Sequence, residues 1–110
     1  MGRSDESTQP TLTVEELIRQ VRALAEKADV SIGNMRWYLF GSALCDPARA
    51  ADVDLLVVCQ NHSDTDAIRR ATDEFAFRKP IDLSILTEDE EAEASFVANQ
   101  RCVRVFPACG

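Results

Sequence analysis

The segment Asp52–Cys59 (DVDLLVVC) carries a clear strand pattern. After its acidic beginning the segment is almost entirely apolar, which is typical of a strand in the middle of a sheet that is covered on both faces. Val53–Cys59 is therefore predicted to be a central strand. Asp52 and Asp54 are unexpected at its beginning, because aspartate is disfavoured in strand interiors.

Helical and strand patterns alternate on both sides of this strand. They predict a helix from Thr13 to Ala28, a strand at Met35–Phe40, a helical turn at Ala43–Cys45, a helix before Pro80, a strand at Ile81–Leu86 and an acidic helix after Thr87. Val103–Phe106 fits a final edge strand or a continued helix. The alternation predicts an α/β (α+β) fold, with a small mixed sheet flanked by helices.

Capping residues indicate where the helices begin. Thr13 and Thr87 each start a T-x-x-E capping box, and Ser63 or Thr65 is the expected cap of the helix between them. The acidic helix is expected to bury Ala92, Phe96 and Val97 on one side.

Length and composition fit one globular domain. The chain has 110 residues, of which 45% are hydrophobic and 28% are charged. Residues 1–11 are polar and without a hydrophobic period, so they are predicted to be a flexible tail before a domain at residues 12–110. The sequence contains no apolar run of membrane-spanning length and does not begin with an apolar secretion signal, so the expected location is the cytoplasm.

The net charge argues against a nucleic-acid partner, and the cysteines and the histidine show no pattern of a metal site. Twelve basic and 19 acidic residues give a net charge of -7, which argues against direct binding of nucleic acid. The four cysteines lack C-x-x-C pairs and are predicted to be small buried or half-buried thiols. His62 is predicted to be a solvated loop residue rather than a metal ligand.

Three aspartates are predicted to meet at one end of the sheet. Asp52 and Asp54 are two positions apart, so their side chains point to the same face of the strand. Asp82 occupies a polar position in the alternating pattern of the Ile81–Leu86 strand. If this strand lies next to Val53–Cys59, the Asp82 side chain can meet those of Asp52 and Asp54. Such a cluster requires a shared proton or a divalent cation, and oxygen ligands suit Mg²⁺ or Mn²⁺. The alternative is three acids that merely line strand ends.

Gly41 and Ser42 are predicted to form a phosphate-binding turn that complements the three aspartates. A glycine at a strand-to-helix turn lets backbone amides approach a phosphate, and the Ser42 hydroxyl adds a donor. An anion-binding turn that faces a metal-binding acid trio is what nucleotidyl transfer from an Mg-bound nucleotide requires. The sequence contains no P-loop, G-x-G-x-x-G or H-E-x-x-H motif.

These residues resemble the motif of the nucleotidyltransferase superfamily that includes DNA polymerase beta, and within it the small bacterial minimal nucleotidyltransferases. The family pattern is a hydrophobic residue before Gly-Ser, a spacer of about nine to thirteen residues, an Asp-hydrophobic-Asp pair and a third carboxylate on a later strand. Gly41, Ser42, Asp52, Asp54 and Asp82 match it. The resemblance covers most of the chain and implies the polymerase-beta-like nucleotidyltransferase fold.

The resemblance also implies a role for each matching residue. Asp52 and Asp54 would hold two Mg²⁺ or Mn²⁺ ions, and Asp82 would hold the acceptor-side ion and help to deprotonate the attacking hydroxyl. Gly41 and Ser42 would hold the β and γ phosphates of ATP or another nucleoside triphosphate. In-line attack on the α-phosphorus would expel pyrophosphate and leave a nucleoside monophosphate on the acceptor.

The chain departs from the family at one place. Many members carry a basic residue shortly after Gly-Ser, whereas this chain has Ala43–Asp46 (ALCD) there. Arg36, Arg49 or a partner's side chain are the candidate substitutes. A weakened or inactive site is the other outcome.

Members similar to this chain are often encoded beside small helical proteins of the HEPN toxin class and act as their antitoxins. In some of these toxin–antitoxin pairs, AMP is attached to a tyrosine of the toxin. The resemblance therefore implies a HEPN-like partner, with homodimerisation as the other source of an acceptor site. Two rival functions are a catalytically inactive module that neutralises its partner by contact, and an aminoglycoside-type enzyme that modifies a small molecule.

Overall fold

A computed structural model describes residues 12–29, 33–75 and 79–107, so the predicted tail at residues 1–11 lies outside the described residues. Four strands form one mixed sheet flanked by helices, which confirms the predicted mixed α/β class. The elements are α1 (Val14–Asp29), β1 (Arg36–Phe40), α2 (Ser42–Cys45), β2 (Val53–Cys59), α3 (Thr65–Glu74), β3 (Ile81–Thr87), α4 (Glu88–Ala94), α5 (Phe96–Asn99) and β4 (Val103–Phe106).

The sheet has the strand order β3-β2-β1-β4. The central strand β2 pairs in parallel with β3 and antiparallel with β1, which in turn pairs antiparallel with β4. The apolar run of β2 is explained by this position, since both of its edges are paired and five successive residues from Leu55 are buried. The edge strand predicted at Val103–Phe106 is confirmed, and the helical alternative is wrong.

Each face of the sheet carries its own apolar cluster. On one face, α1 and α3 cover the main core, whose fully buried side chains include Trp37, Leu39 and Leu55. On the other face, Tyr38, Leu56 and Val58 are covered by partly buried side chains that include Phe96 and Val97 of α5. None of the helices in the described ranges is both long enough and apolar enough to cross a membrane.

The first helix follows its sequence pattern. The Thr13 hydroxyl accepts a hydrogen bond from the Glu16 amide at 3.1 Å, which satisfies one of the amides that begin α1. Arg22 on this helix donates from Nε to the carbonyl oxygen of Val105 at 3.2 Å. This bond ties α1 to the edge strand β4.

The acidic helix differs from the prediction. Ser95 adopts a left-handed conformation with φ 52° and ψ 41°, so α4 ends at Ala94 and the short helix α5 begins at Phe96. The chain turns at Ser95, and Ala92 is left exposed instead of buried. Phe96 and Val97 pack against the sheet as predicted, and the Val97 amide donates to the Glu91 carboxylate at 2.9 Å.

The predicted cap of α3 is also wrong. The N-cap residue is Asp64, whose side chain makes no capping hydrogen bond. A 3-10 turn at His62–Asp64 precedes the helix and supplies its geometry in place of a cap. The His62 side chain is exposed, as predicted, with Nε2 lying 3.4 Å from a carboxylate oxygen of Glu90.

Two of the three described cysteines are buried or half-buried, as predicted. Cys59 is buried and Cys102 is half-buried, and burial raises the pKa of the Cys102 thiol to about 11. Cys45 is exposed, because it ends the short helix α2 on the side away from the core. Cys109 lies outside the described residues.

Thr87→Ala is expected to lower the free energy of unfolding by about 1 kcal/mol, because it removes a complete capping box. The Thr87 hydroxyl accepts from the Glu90 amide at 3.2 Å, and the Glu90 carboxylate accepts from the Thr87 amide at 2.8 Å. Thermal unfolding should show a melting temperature lower by roughly 4–8 °C. Thr65→Ala is the matched control, since α3 begins there without a side-chain cap. An equal loss in both variants would contradict the prediction.

Candidate metal centre

Asp52, Asp54 and Asp82 come together at one end of the sheet. Asp54 is the second residue of β2, and the parallel register places its Cα opposite the Cα of Asp82 in β3. Asp52 directly precedes β2. One carboxylate oxygen from each of the three residues lies within 4.8 Å of the other two. The structure thus places the three predicted acids around one point.

The approach of β2 and β3 at this end is fixed by the backbone. The Val53 amide donates to the Pro80 carbonyl at 2.9 Å, immediately before the paired Asp54 and Asp82. Because β3 is an edge strand, Asp82 is exposed, whereas Asp52 and Asp54 are half-buried.

Negative charges oppose one another in this cluster. The pKa of Asp54 is raised from its ordinary value of 3.8, first by burial and then by the charges of Asp52 and Asp82. A side-chain hydrogen bond, in which the protonated Asp54 donates to Asp82, raises it further. Two unit charges at the 4.8 Å limit repel by about 3.5 kcal/mol at an effective dielectric constant of about 20. The cluster therefore favours any group that offsets negative charge.

A divalent cation fits the donor set. The ligand oxygens of octahedral Mg²⁺ lie about 2.1 Å from the ion, and so about 3–4 Å from one another. Carboxylate oxygens already within 4.8 Å of one another reach that spacing through small side-chain rotations. Three carboxylates with an exposed side suit hard cations that keep open positions for a substrate.

Gly41 lies directly against the acid trio. Its φ of 81° and ψ of -161° belong to a region that side-chain-bearing residues rarely adopt. A Cβ at this position would overlap with Oδ2 of Asp54 and lie 3.1 Å from its Cγ. Only glycine lets the backbone after β1 pass this close to the Asp54 carboxylate.

The turn after Gly41 presents backbone and hydroxyl donors beside the acids. Ser42 is exposed and begins α2, and amides in the first turn of a helix have no intrahelical partner. The turn is held by two hydrogen bonds, from the Leu44 amide to the Gly41 carbonyl at 3.2 Å and from the Asp46 amide to the Ser42 carbonyl at 2.9 Å. An anionic group bound next to the trio could accept hydrogen bonds from the first-turn amides and from the Ser42 hydroxyl.

Of the three predicted substitutes for a basic residue (Arg36, Arg49 or a partner's side chain), Arg36 is wrong. It pairs with Val58 at the far end of β1, four residues or about 13 Å from Phe40, because β1 runs antiparallel to β2. There its guanidinium lies 3.7 Å from a Glu88 carboxylate oxygen. Arg49 is exposed in the loop after α2, with Nε 3.6 Å from the carboxylate of Asp46. Arg49 stays a candidate.

Sequence reasoning missed Lys79. Its ammonium donates to the carbonyl oxygens of Ala48 at 3.0 Å and Ala50 at 2.6 Å, in the loop that leads into Asp52. A single lysine before Pro80 belongs to no motif, so this contact had no signal in the sequence.

A cavity of about 480 Å³ lies beside β3, with Arg69, Thr72, Lys79 and Asp82 among its lining residues. Asp82 thus belongs both to the acid trio and to the wall of this cavity. Its volume is within the range of small-molecule and side-chain binding sites.

Comparison of the chain with models of known protein families, with curated proteins and with solved structures finds no match. The membership of the chain in the nucleotidyltransferase superfamily stays a prediction.

Proposed function

We propose that this chain is an Mg-dependent nucleotidyltransferase, which transfers a nucleoside monophosphate to a hydroxyl acceptor, with AMP from ATP as the expected group. One observation carries the proposal: the backbone of Gly41 lies against an acid trio whose carboxylate oxygens are within 4.8 Å of one another. An anion-binding turn and a cation-binding cluster in contact are the two parts that this reaction needs.

Asp52 and Asp54, both half-buried, are the residues that would hold Mg²⁺ or Mn²⁺, together with the exposed Asp82. Bound ions supply charge neutralisation for the phosphate oxygens and lower the pKa of the attacking hydroxyl. Asp82 accepts the proton of that hydroxyl. The amides of the Gly41–Ser42 turn and the Ser42 hydroxyl bind the β and γ phosphates and orient the α-phosphorus.

The strand order supports one direction of attack. The Gly41–Ser42 turn extends from β1, and Asp82 lies on β3, on the opposite side of β2. In-line displacement requires the acceptor hydroxyl and the leaving pyrophosphate to lie on opposite sides of the α-phosphorus. The acceptor therefore approaches from the β3 edge, on which Asp82 lies.

The motif resemblance extends the proposal to a partner. A small helical protein of the HEPN class, bound by this chain as antitoxin, would present its hydroxyl at the β3 edge, and a second copy of the chain is the other source of an acceptor site. The acidic net charge of -7 supports a protein or small-molecule acceptor over a nucleic acid.

A second function is favoured by the stretch Ala43–Asp46, which lacks the usual basic residue near the triphosphate. With that charge missing, the chain would act as a binding module that neutralises its partner by contact and leaves no nucleotide on it.

Label transfer distinguishes the two functions. Purified protein, with any partner that co-purifies, is incubated with Mg²⁺ and ATP labelled at the α-phosphate. We expect label on the partner protein with the wild type and none with Asp52→Asn/Asp54→Asn. Asp29→Asn/Asp66→Asn, which removes two carboxylates from α1 and α3, should transfer label like the wild type.

The distribution of label decides among the alternatives. Label on a small molecule would identify an aminoglycoside-type enzyme. No transfer by the wild type, with the partner bound equally by wild type and Asp52→Asn/Asp54→Asn, would leave the contact-only module and overturn the proposed activity.

A further inference from the structure

Lys79 joins two parts of the chain that are distant in sequence. Its ammonium donates to the carbonyl oxygens of Ala48 and Ala50, which are 31 and 29 residues earlier in the chain. Lys79 itself lies two residues before β3, and the neighbouring Pro80 carbonyl accepts the Val53 amide. Three hydrogen bonds therefore connect the beginning of β3 with the segment that enters β2.

The loop that Lys79 holds also belongs to the phosphate-binding turn. The Asp46 amide bonds to the Ser42 carbonyl, and the Asp46 carbonyl accepts from the amides of Arg49 and Ala50 at 3.2 and 3.1 Å. A continuous set of bonds thus runs from Ser42 through Asp46 and Ala50 to Lys79. Asp52 follows Ala50 by two residues, and Asp82 follows Lys79 by three.

We propose that Lys79 is a positioning residue for the metal centre: its two bonds to the Ala48 and Ala50 carbonyls hold Asp52 at the distance from Asp82 that a divalent cation requires. This inference rests on the proposed function, since it presumes that the trio binds a cation. Lys79 does not ligate the metal, because an ammonium has no free electron pair. It acts through the backbone of the 48–50 loop.

Lysine suits this role for a physical reason. The ammonium offers three donors at one point, so it can bind two carbonyl oxygens of one loop simultaneously. Arginine also donates several hydrogen bonds but from a wider planar group, and methionine keeps the length of the side chain without any donor. These differences provide a graded set of variants.

A purely electrostatic role of Lys79 and a positioning role predict opposite changes in cation affinity when Lys79 is replaced. Removal of a positive charge near three carboxylates should tighten the binding of a divalent cation if Lys79 acts only through its electric field. Loss of the loop contacts should weaken cation binding if Lys79 positions Asp52. The sign of the change in affinity therefore distinguishes the two roles.

The experiment measures Mn²⁺ binding by electron paramagnetic resonance of the free ion, on protein shown to be folded by circular dichroism. We expect Lys79→Met to bind Mn²⁺ at least about tenfold more weakly than the wild type, a loss typical of residues that support metal ligands. Lys79→Arg should recover part of the affinity. Lys27→Met, which removes one positive charge from the last turn of α1, should change affinity little. Lys79→Gln, with a shorter side chain that keeps one donor group, replaces Lys79→Met if the latter does not fold.

Unchanged or tighter Mn²⁺ binding by the folded Lys79 variant would overturn the inference while leaving the proposed function standing. Equal weakening in Lys27→Met would also overturn it, because a lysine without contacts to the 48–50 loop would then matter as much as Lys79. Failure of the wild type to bind Mn²⁺ at all would instead contradict the metal centre itself, and the inference with it.

Discussion

Gly41→Ala is expected to abolish cation-dependent nucleotidyl transfer, with a loss of at least about a hundredfold, or about 2.7 kcal/mol in the activation free energy. The new Cβ would overlap with Oδ2 of Asp54, so either the Asp54 carboxylate leaves the trio or the turn moves away from it. Either change separates the two halves of the site. The α-phosphate label assay and Mn²⁺ binding together measure the loss.

Gly33→Ala is the matched control for this variant. Gly33 has a similar positive φ of 73°, but nothing lies within 4 Å of its missing Cβ. Both variants place alanine at a positive φ, a strain on the order of 1–3 kcal/mol, and only at Gly41 does the new Cβ contact the acid trio. If transfer and Mn²⁺ binding fell equally in both, strain would explain the loss and the close approach of Gly41 to Asp54 would have no functional meaning.

Asp54→Asn is expected to stabilise the protein without divalent cations while it removes cation binding. The change takes one charge out of a cluster in which Asp52 and Asp82 oppose it. After allowance for solvent screening, we expect a gain on the order of 1 kcal/mol, or roughly 4–8 °C in melting temperature. With Mn²⁺ present the wild type should gain stability by ligand binding and the variant should not. Asp66→Asn, on the exposed side of α3, is the control: it leaves the trio intact, so it should not raise stability without cations and should keep the gain with Mn²⁺.

The stability gain of Asp54→Asn should depend on pH in a defined direction. The folded-state pKa of Asp54 is raised above its ordinary value of 3.8, so the folded chain holds this proton more tightly than the unfolded chain. The contribution of Asp54 to wild-type stability therefore falls as the pH rises from about 4 through the folded-state pKa, and then levels off. The advantage of the asparagine variant should be absent at the acidic end and grow over the same interval. An advantage that shrinks as the pH rises would contradict this origin.

The parts of the fold that depend on local sequence were predictable. The apolar run Val53–Cys59 defined β2 to the residue, and the Thr87–Glu90 capping box occurs as expected. Both signals act over a few residues, where side-chain pattern and backbone hydrogen bonding determine the outcome.

Features that depend on distant parts of the chain were not predictable in the same way. The positions of the three aspartates in their strands made a trio possible. The register that sets Asp54 opposite Asp82, however, is determined by the pairing of β2 with β3. Arg36 was a reasonable candidate for the missing basic residue because it precedes Gly41 by only five residues. The extended strand β1 nevertheless places it at the other end of the sheet. Ser95 in a left-handed conformation had no sequence signal, since serine rarely adopts it.

The parallel pairing of β2 with β3 has a consequence for how the site forms. Parallel neighbours cannot be joined by a tight hairpin, and the connection here passes through the whole of α3 before Asp82 reaches Asp54. Contacts that close long stretches of chain tend to form late in folding. Cation affinity therefore reports how completely β3 has paired with β2, and metal ions would stabilise the finished fold relative to partly folded forms.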